Sequence, residues 1–182
     1  VVVLIDPGMG TKGLLACIEK IAPRVLVGVP RAMLASVLFV RKFRSVEIKV
    51  TVGGWTWFWG GYRLQKIRHT DVSDLPAAAT TRQDEASVLF TSGSTGPAKG
   101  VRYTHGIFDA QTQAIQQMYN IQPGEIDLPC FPLFGLFSLA MGMTVVIPDM
   151  DPTKVALADP EVLVEAIQQH QISNAFASPA LW

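Results

Sequence analysis

The feature that most limits how this chain can fold is the alternation, through its first third, of short continuous apolar runs with helix-period segments. Residues 1–5 form one such run; Leu14, Leu15, Ile18 and Ile21 then recur on one helical face, and residues 25–29 form the next run. This is a βαβ pattern. Pro30 stands where a first helical turn tolerates proline, so a second helix is expected from about Pro30 to Val40, followed by a strand over residues 47–52. Strands that are apolar along their whole length bury both faces, and intervening helices supply the cover. The expected class is therefore α/β, with mostly parallel sheets flanked by helices.

Between residues 53 and 83 the pattern changes to paired glycines, tryptophans at alternating positions (Trp55, Trp57, Trp59) and a polar, threonine-rich run. An edge hairpin followed by a connecting loop is expected there. Alternation puts the three indoles on one strand face, which serves equally as a buried face or as a ligand platform. Further strands are expected at residues 86–90, 101–104 and 172–177. After the second of these, Ile107, Phe108, Ile115, Met118 and Tyr119 share a helical face and are expected to pack into a core. Asp159-Pro160-Glu161 reads as an N-cap, a first-turn proline and an acidic first turn, opening a helix through Ile167. The organisation expected is residues 1–52 as the end of one βαβ subdomain, 53–83 as hairpin and connector, and 84–182 as a second subdomain. An apolar strand opens the chain and a capping Ser178-Pro179 closes it, so an internal fragment of a larger domain is expected.

An apolar fraction of 49% with 16% charged residues is that of a globular protein. Fifteen basic and fifteen acidic residues cancel, which argues against nucleic acid as a partner and towards small-molecule chemistry. Cys17 and Cys130 are far apart and outside any metal-spaced pair, so they are expected as reduced, buried side chains in a cytoplasmic protein. Residues 128–148 carry no charge and are long enough to span a bilayer, but Pro129, Pro132, Gly135 and Gly142 interrupt them and Asp127 and Asp149 flank them. They are expected to form core, with no transmembrane segment. His69, His105 and His170 have no partner at ligand spacing, and the plain, non-catalytic role is expected for each, His105 being the nearest in sequence to the loop described next.

That loop, Thr91-Ser92-Gly93-Ser94-Thr95-Gly96-Pro97-Ala98-Lys99-Gly100, holds three glycines, four hydroxyl side chains and one lysine directly after an apolar strand. Glycines allow close backbone approach, consecutive N–H groups form an anion nest, hydroxyls donate further hydrogen bonds, and Lys99 adds a compensating charge. The composition suits a polyphosphate. It is not the G-x-x-x-x-G-K-[ST] loop of nucleotide hydrolases, because Lys99 follows Gly96 by three residues and strand-like residues come next. Nor is it G-x-G-x-x-G or G-x-S-x-G. On composition alone, a solvated surface linker stays open as the alternative.

The same residues resemble the phosphate loop of the adenylate-forming superfamily (acyl-CoA synthetases, non-ribosomal peptide adenylation domains and luciferases), T-S-G-[ST]-T-G-x-P-K-G, with Pro97-Ala98 as the departure. Residues 1–7 resemble its A-x-x-P-I-D-P strand end, Phe131-Pro132-Leu133-Phe134-Gly135 the aromatic segment beside its acyl pocket, and residues 176–181 its S-P-A-L turn. The resemblance runs the length of the chain and implies part of the large N-terminal domain of that fold. Leu4-Ile5-Asp6-Pro7-Gly8, Asp127-Leu128-Pro129 and Val146-Ile147-Pro148-Asp149 look most like the β-lactone synthetases of bacterial olefin biosynthesis; no histidine stands in the Pro132–Gly135 segment, where many acyl-CoA synthetases carry one. What this implies is ATP and Mg²⁺ as cofactors, with Thr91, Ser92, Gly93, Ser94, Thr95, Gly96 and Lys99 on the phosphates. A fatty or β-hydroxy fatty acid is the implied substrate, with Phe131 and Phe134 at its acyl chain. Its activated acyl group passes to its own β-hydroxyl or, as in a fatty acyl-CoA ligase, to coenzyme A. The family's catalytic lysine, its adenine and ribose contacts and its lid domain have no counterpart in these residues. A nucleotide-binding module without turnover, or an interaction domain with no ligand, would be the alternatives of another class.

Overall fold

Helix α1 (Gly10–Ile21) is apolar on two sides, and the layers around it follow from that. In the computed structural model, which describes residues 1–5, 9–54, 56, 58–90, 98–151, 157–179 and 181, one side packs Leu15 and Ile18 on Phe43, with Leu26, Ala35 and Val46 around them. The other side packs Cys17 on Val88 and Phe90, with Val3, Met9 and Ile21 closing the cluster. The two clusters belong to different sheets. β2 (Val25–Gly28), β3 (Ile48–Thr51) and β4 (Tyr62–Arg63) make one, in that order; β1 (Val2–Leu4), β5 (Glu85–Phe90) and β6 (Gly100–Thr104) make the other.

β1 runs parallel to β5, Val2 beside Ser87 and Leu4 beside Leu89, and β2 runs parallel to β3, Val25 beside Ile48 and Gly28 beside Thr51. The βαβ pattern of residues 1–29 is thus not a crossover within one sheet. Its two strands go to separate sheets, because α1 has a stripe for each. The crossover within one sheet is β2, α2 (Pro30–Leu38), β3, with Pro30 in the first turn of α2 and Met33 and Ser36 buried beneath it.

After β3 the pairing is again parallel, Val50 beside Tyr62 and Thr51 beside Arg63, and not antiparallel as an edge hairpin would be. Positive φ at Gly53, Gly54, Gly60 and Gly61 turns the chain twice, so that it re-enters beside β3 in the same direction. Gly61 passes so close to β3 that a Cβ there would stand 2.4 Å from the Lys49 carbonyl oxygen. Trp59 Nε1 donates to Thr51 Oγ1 at 3.0 Å, which fastens this turn to a buried residue of β3. Trp55 and Trp57 lie outside the described residues. A short helix, α3 (Leu64–Ile67), and a connector without regular structure lead to β5.

Two compact units result, residues 1–81 with 85–103, and residues 82–84 with 104–182. The second begins with α4 (His105–Tyr119), capped by Thr104 Oγ1 accepting from Ile107 N. Its third sheet has β7 (Ile126–Pro129) between β8 (Thr144–Val145) and β9 (Asn174–Phe176), both parallel to it. A 3₁₀ turn (Pro132–Phe134) and α5 (Gly135–Ala140) connect β7 to β8; α6 (Pro160–His170) precedes β9 and opens as expected, Asp159 Oδ1 accepting from Glu161 N at 2.9 Å. Leu128, Cys130 and Leu163 form the core here. The uncharged residues 128–148 are broken into these short elements, and among the described residues no helix is long and apolar enough to cross a membrane. The apolar face expected for α4 is only partly used. Phe108 and Ile115 are half-buried, Ile115 against Ile121, Met141 and Met143, whereas Ile107, Met118 and Tyr119 are exposed.

Candidate active site

β5 delivers the chain into the glycine-rich loop and β6 takes it out. Gly100 lies against Val88 and Phe90, while His105 N donates to Asp84 O at 3.1 Å, so β6 returns alongside β5 in the opposite direction. Arg102 pairs with Glu85 across the two strands. The loop is therefore a connection between neighbouring strands, gripped at both ends by one apolar cluster: Phe90 before it and Ala98 after it both pack with Cys17. Alanine at position 98, where the resembling motif has proline, fills that seat. A Cβ on Gly100 would come within 3.0 Å of Val88 Cγ1 and 3.3 Å of Phe90, so this glycine serves strand packing. Lys99, between these two anchors, is exposed. Thr91, Ser92, Gly93, Ser94, Thr95 and Gly96 lie outside the described residues, as do Asp6, Pro7 and Gly8.

Charge is distributed unevenly between the units. The unit that carries the loop holds thirteen of the fifteen lysines and arginines and six of the fifteen acidic residues, a net charge of +7; the other unit balances it at −7. The cancellation in the whole chain hides this. A net positive charge on the unit to which the loop belongs favours polyanions as ligands of that unit.

The second candidate region is aromatic and lies in the other unit. Phe131 and Phe134 are brought together, with ring centroids 5.6 Å apart. Phe134 in turn meets Phe176 of β9 at 4.3 Å and Phe137 of α5 at 6.2 Å, and Phe137 meets Phe108 of α4 at 5.8 Å. The sequence assigns neither Phe137 nor Phe176 to the acyl chain; the spacing of Phe131, Phe134 and Phe137 by three residues is a local signal for Phe137, whereas Phe176 joins them only through strand pairing. Phe131 stays substantially exposed at the edge of the group.

Beneath the aromatics, Asp127 is buried in β7 and accepts a hydrogen bond from Ser138 Oγ of α5 at 2.5 Å. Burial pushes its carboxyl above the usual range, against the opposing hydrogen bonds from Ser138 and the Leu128 backbone. Cys17 and Cys130 are free and buried, and burial raises both thiols. Neither is poised as a nucleophile. Among the described residues there is no group of three or more His, Cys, Asp or Glu side chains that would hold a metal ion. His69 lies in a turn after α3, His105 opens α4 and His170 closes α6, all at the surface.

The whole chain, residues 1–182, matches the family described as AMP-binding enzyme. It is 43% identical over 180 residues to an olefin β-lactone synthetase of Xanthomonas campestris pv. campestris and, at the same identity, to one of Stenotrophomonas maltophilia, covering 98% of this chain and 32% of each relative. Among solved structures, apo MbtA of Mycobacterium smegmatis superposes with a TM-score of 0.80 at 21% identity, over 98% of this chain and 34% of that one, a likeness of fold. The chain thus spans about a third of the length of the curated relatives it matches.

Proposed function

Since the chain belongs to the AMP-binding enzyme family, we propose that the full-length protein uses ATP to activate a β-hydroxy fatty acid as its acyl-adenylate and then closes it to a β-lactone. The observation that carries this reading is the 43% identity to the two olefin β-lactone synthetases, sustained along 98% of the chain. In the first step a carboxylate oxygen attacks the α-phosphorus, the bond from that phosphorus to the bridging oxygen breaks, and pyrophosphate leaves. Backbone N–H and hydroxyl donors of Thr91, Ser92, Gly93, Ser94, Thr95 and Gly96, with Lys99, hold the triphosphate and take up the charge that grows on pyrophosphate, binding the transition state more strongly than ATP. The packing of Phe90 and Ala98, which flank these residues, into one apolar cluster with Cys17 and Val88 supports this assignment, because it holds the two ends of the segment on the same core. So does the positive charge of its unit. In the second step the β-hydroxyl oxygen attacks the acyl carbon, the bond from that carbon to the phosphate oxygen of the adenylate breaks, AMP departs with that oxygen, and the hydroxyl proton passes to solvent.

Phe131 and Phe134 are assigned to the wall of the acyl site. Mg²⁺ would accompany the ATP phosphates, whose charge it would partly neutralise. The test uses the full-length protein with ATP, Mg²⁺ and a long-chain β-hydroxy acid, without and with coenzyme A, products being identified by mass spectrometry. β-Lactone and AMP formed without coenzyme A are expected. Acyl-CoA formed only in the presence of the thiol would reassign the protein as an acyl-CoA ligase, and nucleotide binding without turnover would remove it from the enzymes.

A further inference from the structure

A buried polar pair ties β7 to α5, and the chemistry above makes no use of it. Asp127 and Ser138 are each 5% exposed, and Asp127 sits on the central strand of its sheet, where an apolar residue packs at no desolvation cost. No ion pair found among the described residues includes Asp127. What the pair provides is geometry. Ser138 is the fourth residue of α5, and a hydrogen bond to a strand fixes the rotation of the helix about its axis. The first residue, Gly135, supplies another fixed point: a Cβ there would come within 3.1 Å of both Pro129 Cγ and Val145 Cγ1, so the helix start is seated against β7 and β8. Phe134 and Phe137 each immediately precede one of these two fixed points. A helix held at Gly135 and Ser138 can neither slide nor roll, and this delivers Phe134 onto Phe176 and Phe137 onto Phe108.

We propose that Asp127 is a positioning residue that, through Ser138, sets the seat of α5 and so places Phe134, Phe137 and Phe176 as the wall that selects acyl chain length. This rests on the assignment of Phe134 to the acyl site. The test measures kcat/KM for adenylation of β-hydroxy fatty acids of short, medium and long chain by the full-length enzyme, with KM for ATP alongside. Ser138→Ala is expected to change the long-to-short selectivity ratio by about threefold to tenfold, the range of one lost hydrogen bond, with KM for ATP unaltered. Asp127→Asn keeps an acceptor for Ser138 and is expected to retain the wild-type ratio. If Ser138→Ala does not fold because it strands the buried carboxyl, the double variant Asp127→Leu/Ser138→Ala removes both partners and is expected to show the same shift. Equal losses on all chain lengths, or a lowered Tm with the ratio intact, would reduce the pair to a structural role and overturn the proposal. Phe134→Ala separates the two levels. If it leaves selectivity unchanged, the acyl-site assignment falls and the proposal with it; if it alters selectivity while Ser138→Ala and the double variant do not, only the positioning role falls.

Discussion

Lys99 is the one fixed positive charge within the loop motif, and it stands exposed between two anchored neighbours, Ala98 and Gly100. Replacing it with alanine in the full-length enzyme should lower kcat/KM for ATP by roughly 10- to 100-fold, the worth of one charge-assisted hydrogen bond. ATP–pyrophosphate exchange measures this, while the stability change should stay within about 0.5 kcal/mol, as for an exposed side chain. Lys99 was legible from the sequence because charge and spacing are local properties. The environment of Asp127 was not: in the sequence it stands at the polar edge of an uncharged run, and only the packing of α5 against β7 shows that it is buried. Its raised carboxyl has a sign that can be tested. The protonated form is favoured in the folded state, so its contribution to stability is whole below the ordinary aspartate range and is lost as pH rises through the higher folded-state value. The stability of wild type relative to Asp127→Asn should therefore fall as pH is raised from acid towards neutral, measured by urea unfolding of the full-length proteins across that range.

Among elements, local signals with a short physical reach were readable. Pro30 and Asp159 mark where α2 and α6 start, because capping and the tolerance of proline depend on the first turn alone. The direction of β4 was not readable. Paired glycines announce turns, but whether two turns make a hairpin or return the chain parallel depends on what the second strand packs against. Gly61 shows the constraint that decides it. Gly61→Ala combines a positive φ of 87° with a Cβ pressed on the Lys49 carbonyl, and should cost about 2–4 kcal/mol. Gly60→Ala, at φ 66° with nothing among the described residues within 4 Å of its Cβ, should cost only about 1 kcal/mol. Paired urea unfolding curves of the two full-length variants check the difference. In α4 the helical period implies the helix that forms, but only part of its apolar face is buried. Amphipathic spacing shows which residues share a side but cannot supply the partner, and Met118 and Tyr119 have none among the described residues that would bury them.

For the molecule as a whole, residues 1–182 match the family throughout but cover 32% of the length of the curated relatives. The resemblance implies that residues 1–182 hold no counterpart of the family's adenine and ribose contacts or of its catalytic lysine. The isolated 182-residue chain is accordingly expected to form no acyl-adenylate from ATP and a fatty acid, and detection of the adenylate by mass spectrometry would refute this. What the sequence by itself determined is the α/β class, the composition of the loop and the burial of both cysteines. Each follows from residue type or from a period of a few residues. Tertiary structure alone decided that β1 joins β5 across 85 residues of chain, as Ser87 Oγ donating to Val2 O marks, that α1 serves two sheets, and that Phe176 closes on Phe134. It also separated the charge into a basic unit carrying the loop and an acidic one. The physical reason is common to all of these. Periodicity states which face of an element must be buried, whereas the choice of partner depends on complementary packing between segments that the sequence keeps far apart.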